Sequence, residues 1–325
     1  MLAVYVPRGG SLERIEVAAE AGFPEGAVWI DLLDPTLIED KLVEQATGVA
    51  IPTREEMQEI EVTSRLYVEN GVRYMTATLM CQAETDSPKT AAVTFILSGH
   101  KLITVRYDEP RPFAIVNNKL CRLCPPNPTG ETVMMDLLDA VIDRAADILE
   151  RIGADVDHVS RDIFDLRSTV TRTRHFNRTF ISIGRKGDLT SKVRESLVSI
   201  GRLLLFLASE TEDSIKLAKE QRTHLKGMQR DVQSLSDHAT YLSNKIQFLL
   251  DAMVGVVNLQ QNNIIKIFSV VAVVLMPPTL IASIYGMNFR HMPELEWTYG
   301  YPFTLVLMLV AAILPYLFFK WKKWL

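Results

Sequence analysis

The hydrophobic pattern changes period along the chain. In the first third, short apolar runs rich in β-branched residues recur at Ala27–Leu32, Ser64–Val68, Val72–Leu79, Ala92–Leu97 and Leu102–Tyr107. Runs of this length bounded by turn residues predict strands. Glu69-Asn70-Gly71 predicts a hairpin turn, and Ser98-Gly99-His100 a second tight turn. Asp34-Pro35-Thr36 precedes a helix predicted to reach Gln45, with Thr36 able to cap it. The order suggests a mainly antiparallel sheet with helices packed on it, with strand order left open.

Pro125-Pro126-Asn127-Pro128-Thr129-Gly130 marks a boundary, after which strand signals stop. Thr132 to about Phe164 reads as one amphipathic helix. Val133, Leu137, Val141, Ile148 and Ile152 lie on one side, and Asp136, Asp139, Asp143, Asp147 and Glu150 form an acidic stripe on another. A second helix is predicted from about Asp188 to Glu210, after a turn at Gly184-Arg185-Lys186-Gly187. A very long helix follows from about Ser214. Leu225, Met228, Val232, Leu235, Ala239, Leu242, Ile246, Leu249, Met253 and Val256 keep heptad spacing along it. No proline interrupts Ser214 to Met276, so the helix is expected to run on the order of 90–100 Å as a stalk. Its seam needs a partner: the acidic helices before it, its own copies, or both.

The far C-terminus loses the polar stripe altogether. Ile267–Tyr285 and Pro302–Phe319 carry no charge, and each would rise about 27–29 Å as a helix, enough to cross a bilayer core. Lys266 precedes the first segment, and Lys320, Lys322 and Lys323 follow the second. Basic flanks stay in the cytosol, so both termini are expected inside with only the short connecting loop outside. Tyr285, Trp297, Tyr299, Tyr301, Trp321 and Trp324 sit where interfacial aromatics belong. Met1–Pro7 has neither the basic nor the long apolar region of a signal peptide, so the first part of the chain is expected to stay in the cytosol.

Composition excludes more than it assigns. The 325 residues suffice for two domains, and 35 basic against 39 acidic residues argue against nucleic acid as a partner. The three cysteines fit a reducing compartment, and Cys121 with Cys124 is a lone CxxC without the second pair that a zinc site would want. There is no phosphate-binding loop, no metalloprotease helix and no convincing nucleophile elbow, so an enzyme and an organic cofactor are not expected. Without an ATP site the driving force is expected to be the membrane potential, about 2.3 kcal/mol per charge per 100 mV.

The first apolar segment ends Tyr285-Gly286-Met287-Asn288-Phe289, and the loop continues Met292-Pro293-Glu294-Leu295. With these residues at this place the chain resembles the CorA family of magnesium transporters, marked by Gly-Met-Asn at the outer end of the first of two C-terminal spans. The resemblance covers the full chain. It implies an α+β cytosolic domain followed by a long helical stalk and two transmembrane helices, assembled as a funnel-shaped homopentamer in the bacterial inner membrane. It implies that Mg²⁺ is transported, that cytosolic Mg²⁺ also binds acidic sites and closes the channel, and that Gly286, Met287 and Asn288 form the selectivity filter. The layout expected is 1–125 α/β, 126–213 acidic helices, 214–263 stalk, 264–289 first span, 290–301 periplasmic loop, 302–320 second span and 321–325 basic tail.

The chemistry of Asn288 can be reasoned separately. Mg²⁺ gives up its waters reluctantly. A ring of neutral amide oxygens can hydrogen-bond those waters and still release the ion, which conduction demands. The competing reading of Asn288 is a helix C-cap, and the two roles are compatible. Counting back along the helix, Ser283, Thr279, Met276, Ala272, Phe268 (or Ser269), Ile265 and Asn262 share the face that would line a pore. Met276 and Phe268 are candidates for an apolar gate closed by dewetting, with packing between helices as the alternative. Pro277-Pro278 frees two carbonyls in mid-span, and Thr279 can bond back to its own helix. Arg290, followed by His291, stands where the family usually places an acid, offset in the loop by Glu294 and Glu296.

The stripe Asp136, Asp139, Asp143, Asp147 and Glu150, and the group Glu55, Glu56, Glu59 and Glu61, are candidate Mg²⁺ sensors, against the plainer reading of solvated faces. Co²⁺ and Ni²⁺ are expected to share the path. A zinc-transporting member of the same superfamily and a membrane-anchored sensor that conducts nothing are the alternatives.

Overall fold

The computed structural model describes residues 1–17, 22–85, 87–164, 172–209, 218–287, 292 and 297–322, with only the backbone of Val62 and of 172–177. The chain divides into two compact units, Met1–Leu249 and Leu250–Leu325.

The first unit is built on seven strands: β1 (Leu2–Arg8), β2 (Ser11–Glu16), β3 (Trp29–Leu33), β4 (Leu66–Glu69), β5 (Val72–Cys81), β6 (Lys89–Ser98) and β7 (Lys101–Arg106). They form one sheet in the order β2-β1-β3-β7-β6-β5-β4. Every pair is antiparallel except β3 with β7. Both expected turns are present. Asn70 and Gly71 take φ of 51° and 76°, the left-handed values a tight turn between twisted strands needs, and Gly99 takes 54° between β6 and β7.

The helices cover both faces of the sheet. On one side α1 (Leu37–Thr47) and α2 (Arg54–Gln58) bring Val43 and Met57 against Leu2, Val4, Ile30, Leu32, Ile96, Ile103 and Val105, all essentially buried. Thr36 caps α1 as expected, with Glu39 completing a reciprocal capping box. On the other side lie α4 (Arg111–Arg122), α5 (Gly130–Phe164) and α6 (Arg172–Ala208). Here the sheet buries charge. Arg106 forks onto Asp31 through Nε at 3.0 Å and Nη2 at 2.8 Å, and the Thr104 hydroxyl donates to the same carboxylate at 2.7 Å. Trp29 Nε1 donates to Thr104 at 2.9 Å, and the Arg106 guanidinium lies 4.7 Å from the centre of the Phe113 ring. Arg106 Nη1 also donates to Asp108 O at 3.0 Å, so both members of the buried ion pair are held by several hydrogen bonds, as burial of such a pair demands.

Gly130 starts α5 hard against the β6–β7 turn. A Cβ there would meet the backbone at Leu102 N and Lys101 C, so only glycine fits. Arg73, buried on β5, ends α6 by donating to the carbonyls of Leu207 at 3.0 Å and Ser209 at 2.9 Å. These are helix-terminal carbonyls that otherwise lack a partner.

Three expectations change. The run Ser64–Val68 is not all strand: α3 (Val62–Arg65) takes Ser64 and Arg65, and β4 begins at Leu66. The Gly184–Gly187 turn does not exist, because α6 runs unbroken through it. Glycine there serves packing, since the position of a Gly187 Cβ lies 3.5 Å from Ile246 Cγ2. Strands β1 and β2 were not among the expected elements, their alternation Leu2-Val4-Val6 and Leu12-Ile15 being short and split by Gly9-Gly10.

The long helix is α7 (Lys219–Tyr285); the expected start at Ser214 lies outside the described residues. Leu225, Met228, Val232, Ala239, Leu242, Ile246 and Leu249 of its seam are buried within the single chain, and Leu235 is half-buried. Gly153 of α5 lies beside Leu242, Gly201 of α6 beside Val232, and Phe164 stacks on Phe248. The preceding helices therefore supply the partner for this part of the seam. The final helix is α8 (Gly300–Trp321).

Candidate ion pathway

The second unit holds the end of α7 and all of α8. Each helix contains a window of mean hydropathy 2.3, and only 6% of either window is buried. A soluble core helix of that composition would be covered. Leaving it bare in water would cost about 1.5–3 kcal/mol per large side chain, so a lipid or protein surround is required.

The exposure is not even around α7. Val270 is buried, and Val274, Pro277, Pro278, Ile281 and Tyr285 are partly sheltered. These residues share one face. At about 100° per residue, the face of Asn262, Ile265, Phe268, Ala272, Met276, Thr279 and Ser283 points the opposite way. All seven are exposed, with Phe268 at 71% and Met276 at 67%. Val271, Val273, Leu275, Leu280 and Ile284 on the flanks are exposed too. Exposure alone therefore does not single out a pore face, but it leaves that face free.

Pro277 and Pro278 sit inside the helix without ending it. They cannot donate to the carbonyls of Val273 and Val274. The Thr279 hydroxyl donates back to Leu275 O at 2.8 Å, so its proton is used and its lone pairs face outward as acceptors. Ser269 bonds to Ile265 O in the same way.

At the C-terminal end of α7, Gly286 N–H closes onto Ala282 O at 2.9 Å and Met287 N–H onto Ile284 O at 3.2 Å. A Cβ on Gly286 would lie 3.1 Å from Ala282 O, tighter than ordinary packing. The glycine thus lets the chain turn tightly off the helix. The helix end carries the negative pole of its dipole, and no basic residue occupies its last turn to cancel it. Asn288, Arg290, His291, Glu294 and Glu296 lie outside the described residues.

The acidic stripe on α5 is less uniform than its spacing implies. Lys119 donates to Asp136 at 2.7 Å, and His224 pairs with Asp139 at 2.6 Å. Arg144 stands 3.9 Å from Asp147. Burial raises the Asp139 pKa, against a lowering by His224. Asp143, Asp147 and Glu150 are exposed. Among the described residues no three His, Cys, Asp or Glu side chains gather as a metal site within one chain. Sequence reading missed Lys119 and His224 as partners. His224 is 85 positions from Asp139, and no local pattern links them.

A family model described as CorA-like Mg²⁺ transporter protein matches residues 24–322. The chain belongs to the CorA family. Its curated relatives include the magnesium transport protein CorA of Pasteurella multocida (strain Pm70), 33% identical over 327 residues with all of both chains covered. The magnesium transport protein CorA of Escherichia coli (strain K12) is 33% identical over 325 residues, again with full coverage of both. Among solved structures, the CorA magnesium transporter from Methanocaldococcus jannaschii matches with a TM-score of 0.77 at 17% identity, covering 100% of this chain and 99% of that one. At that identity the match speaks to the fold: an α+β domain, a long helix and two apolar helices. The CorA match covers both compact units, so neither is an unrelated addition.

Proposed function

We propose that this protein is a subunit of a homopentameric channel that carries Mg²⁺ into the bacterial cytosol across the inner membrane, with both termini cytoplasmic. The observation that carries the reading is the join of an exposed, bilayer-length helix to Tyr285-Gly286-Met287-Asn288 in a full-length CorA-family chain. One chain with two spans cannot enclose a path, so several copies must. The sheltered face of α7 leaves the Asn262–Ser283 face available to line an axis. In such a ring the negative ends of the helices converge on the outer mouth and attract a hydrated cation. Gly286, Met287 and Asn288 form the filter, where amide oxygens hold the water shell, and Glu294 helps gather cations at the loop. Below it Ser283 and Thr279 offer acceptor oxygens, Met276, Ala272 and Phe268 form the apolar gate, and Ile265 and Asn262 lead to the cytosol.

The transport needs no chemical step, and the membrane potential drives it. Co²⁺ and Ni²⁺ share the path, because a filter that reads hydrated ions separates similar hydrates poorly. Cytosolic Mg²⁺ closes the channel by binding between subunits, with Asp143, Asp147 and Glu150 as the carboxylates left most open for it. The parts work in the order 1–125, 126–213 and 214–263 inside, 264–289 and 302–320 in the membrane, 290–301 outside and 321–325 inside.

The pore face is tested by cysteine accessibility. Met276→Cys should be blocked by a charged thiol reagent during Mg²⁺ flux, and Val270→Cys, on the opposite face, should not. Equal sensitivity of both positions would remove Met276 from the path.

A further inference from the structure

A cation channel has no use for a cleft that repels its cargo, yet the first unit contains one. It has a volume of about 940 Å³ and lies between the β5–β6 connection, α5 and α6. Its charged wall is Arg151, Arg178, Arg185 and Lys186. The chain as a whole carries a net charge of −4, so this concentration of positive charge runs against the average.

Among the described residues, the two carboxylates in the wall are held chiefly by other cations, with Arg151 only a lesser partner of Glu84. Glu84 is already held by Arg111 at 2.5 Å and Arg144 at 2.7 Å, and those pairs push its pKa down. Asp188 is held by Lys192 at 2.8 Å, which also donates to Pro88 O. Lys186 is paired with Asp155. Arg151 donates to the carbonyl of Ala83 at 3.0 Å, a contact that fixes the guanidinium without cancelling its charge. Arg178 is exposed at the mouth. Guanidinium groups are planar forks suited to phosphate oxygens. Beside them, Ile181 is 57% exposed and Leu189 forms an apolar wall, while Ser182 supplies a hydroxyl. Gly184 leaves the surface open, with nothing within 4 Å of where a Cβ would stand.

We propose that this cleft binds a polyphosphate anion, with Arg151 and Arg178 as the principal phosphate contacts and Ile181 and Leu189 able to take a nucleobase. The site is separate from the ion path, and the proposal does not depend on conduction.

Calorimetric titration of the full-length protein in detergent and metal-free buffer at physiological salt tests it, with ATP and tripolyphosphate as the probes. Saturable binding is expected for at least one probe. It should weaken by about tenfold or more in Arg151→Gln/Arg178→Gln, the loss expected for charge-assisted contacts, and far less in Arg178→Lys. Gel filtration and circular dichroism confirm that the variants are folded. Tighter binding of ATP supports the full site with its apolar wall, and equal binding supports the phosphate contacts alone. No saturable binding of either probe, or unchanged affinity in the double glutamine variant, overturns the proposal. So does a double variant that loses its oligomer while the wild type binds neither probe, because the arginines would then belong to a subunit contact.

Discussion

Replacing Gly286 with alanine should stop most of the flux without unfolding the protein. The added Cβ would stand 3.1 Å from Ala282 O, where ordinary contact begins at 3.4 Å, so the two atoms must part by about 0.3 Å. The carbonyl that must yield is the one accepting from Gly286 N–H at 2.9 Å. Weakening that bond costs about 1 kcal/mol. In the proposed ring of five, every copy would be altered two residues before Asn288. A filter that tolerates one displaced subunit at a time loses about fivefold in flux, since 1.4 kcal/mol is a factor of ten and the cost is about 1 kcal/mol. A filter that needs all five in register loses about 5 kcal/mol, more than a thousandfold. The assay is Mg²⁺ influx into liposomes followed by an enclosed indicator dye, after gel filtration confirms the assembly. Gly227→Ala is the control, because nothing lies within 4 Å of that site and α7 gains helix propensity worth about 1 kcal/mol. Flux through Gly286→Ala within twofold of wild type would refute the reasoning.

Three further outcomes are expected. Asp31→Ala leaves the Arg106 guanidinium buried without its carboxylate and should destabilise the protein by about 3–5 kcal/mol, read as a drop in the thermal midpoint in detergent. Asp139 holds its proton more tightly when folded than its ordinary value of 3.8, chiefly through burial. Its contribution therefore favours folding at low pH and is lost as pH rises through the raised value, so Asp139→Asn should flatten that part of the stability–pH curve. Joint replacement of Asp143, Asp147 and Glu150 by their amides should leave the channel conducting at high internal Mg²⁺; closure identical to wild type would remove the stripe from sensing.

Legibility in the sequence followed the range of the forces involved. The hairpin at Asn70-Gly71, the Thr36 cap and the limits of α5 depend on neighbours a few residues apart, and a local pattern carries them. The bilayer-length segments were legible because the absence of charge is itself the signal. What escaped depends on distant partners. The Gly184–Gly187 stretch reads as a turn locally, but in α6 it is helical, with Gly187 beside Ile246 of α7. The parallel pairing of β3 with β7 joins residues 73 apart in register and has no local mark. The acidic stripe was visible by spacing, whereas the side chains that pair with it, Lys119 and His224, come from other helices. At the pathway, Thr279 makes the back-bond to its own helix that its residue type allows.

The central claim is that copies of α7 assemble around an axis and pass a hydrated ion by the amide of Asn288. Potential-driven Mg²⁺ uptake by vesicles containing the purified protein, with the interior free of Mg²⁺, tests it most directly. The account predicts rapid uptake by wild type and loss of uptake in Asn288→Ala. Wild-type vesicles that take up no more Mg²⁺ than protein-free ones would contradict it.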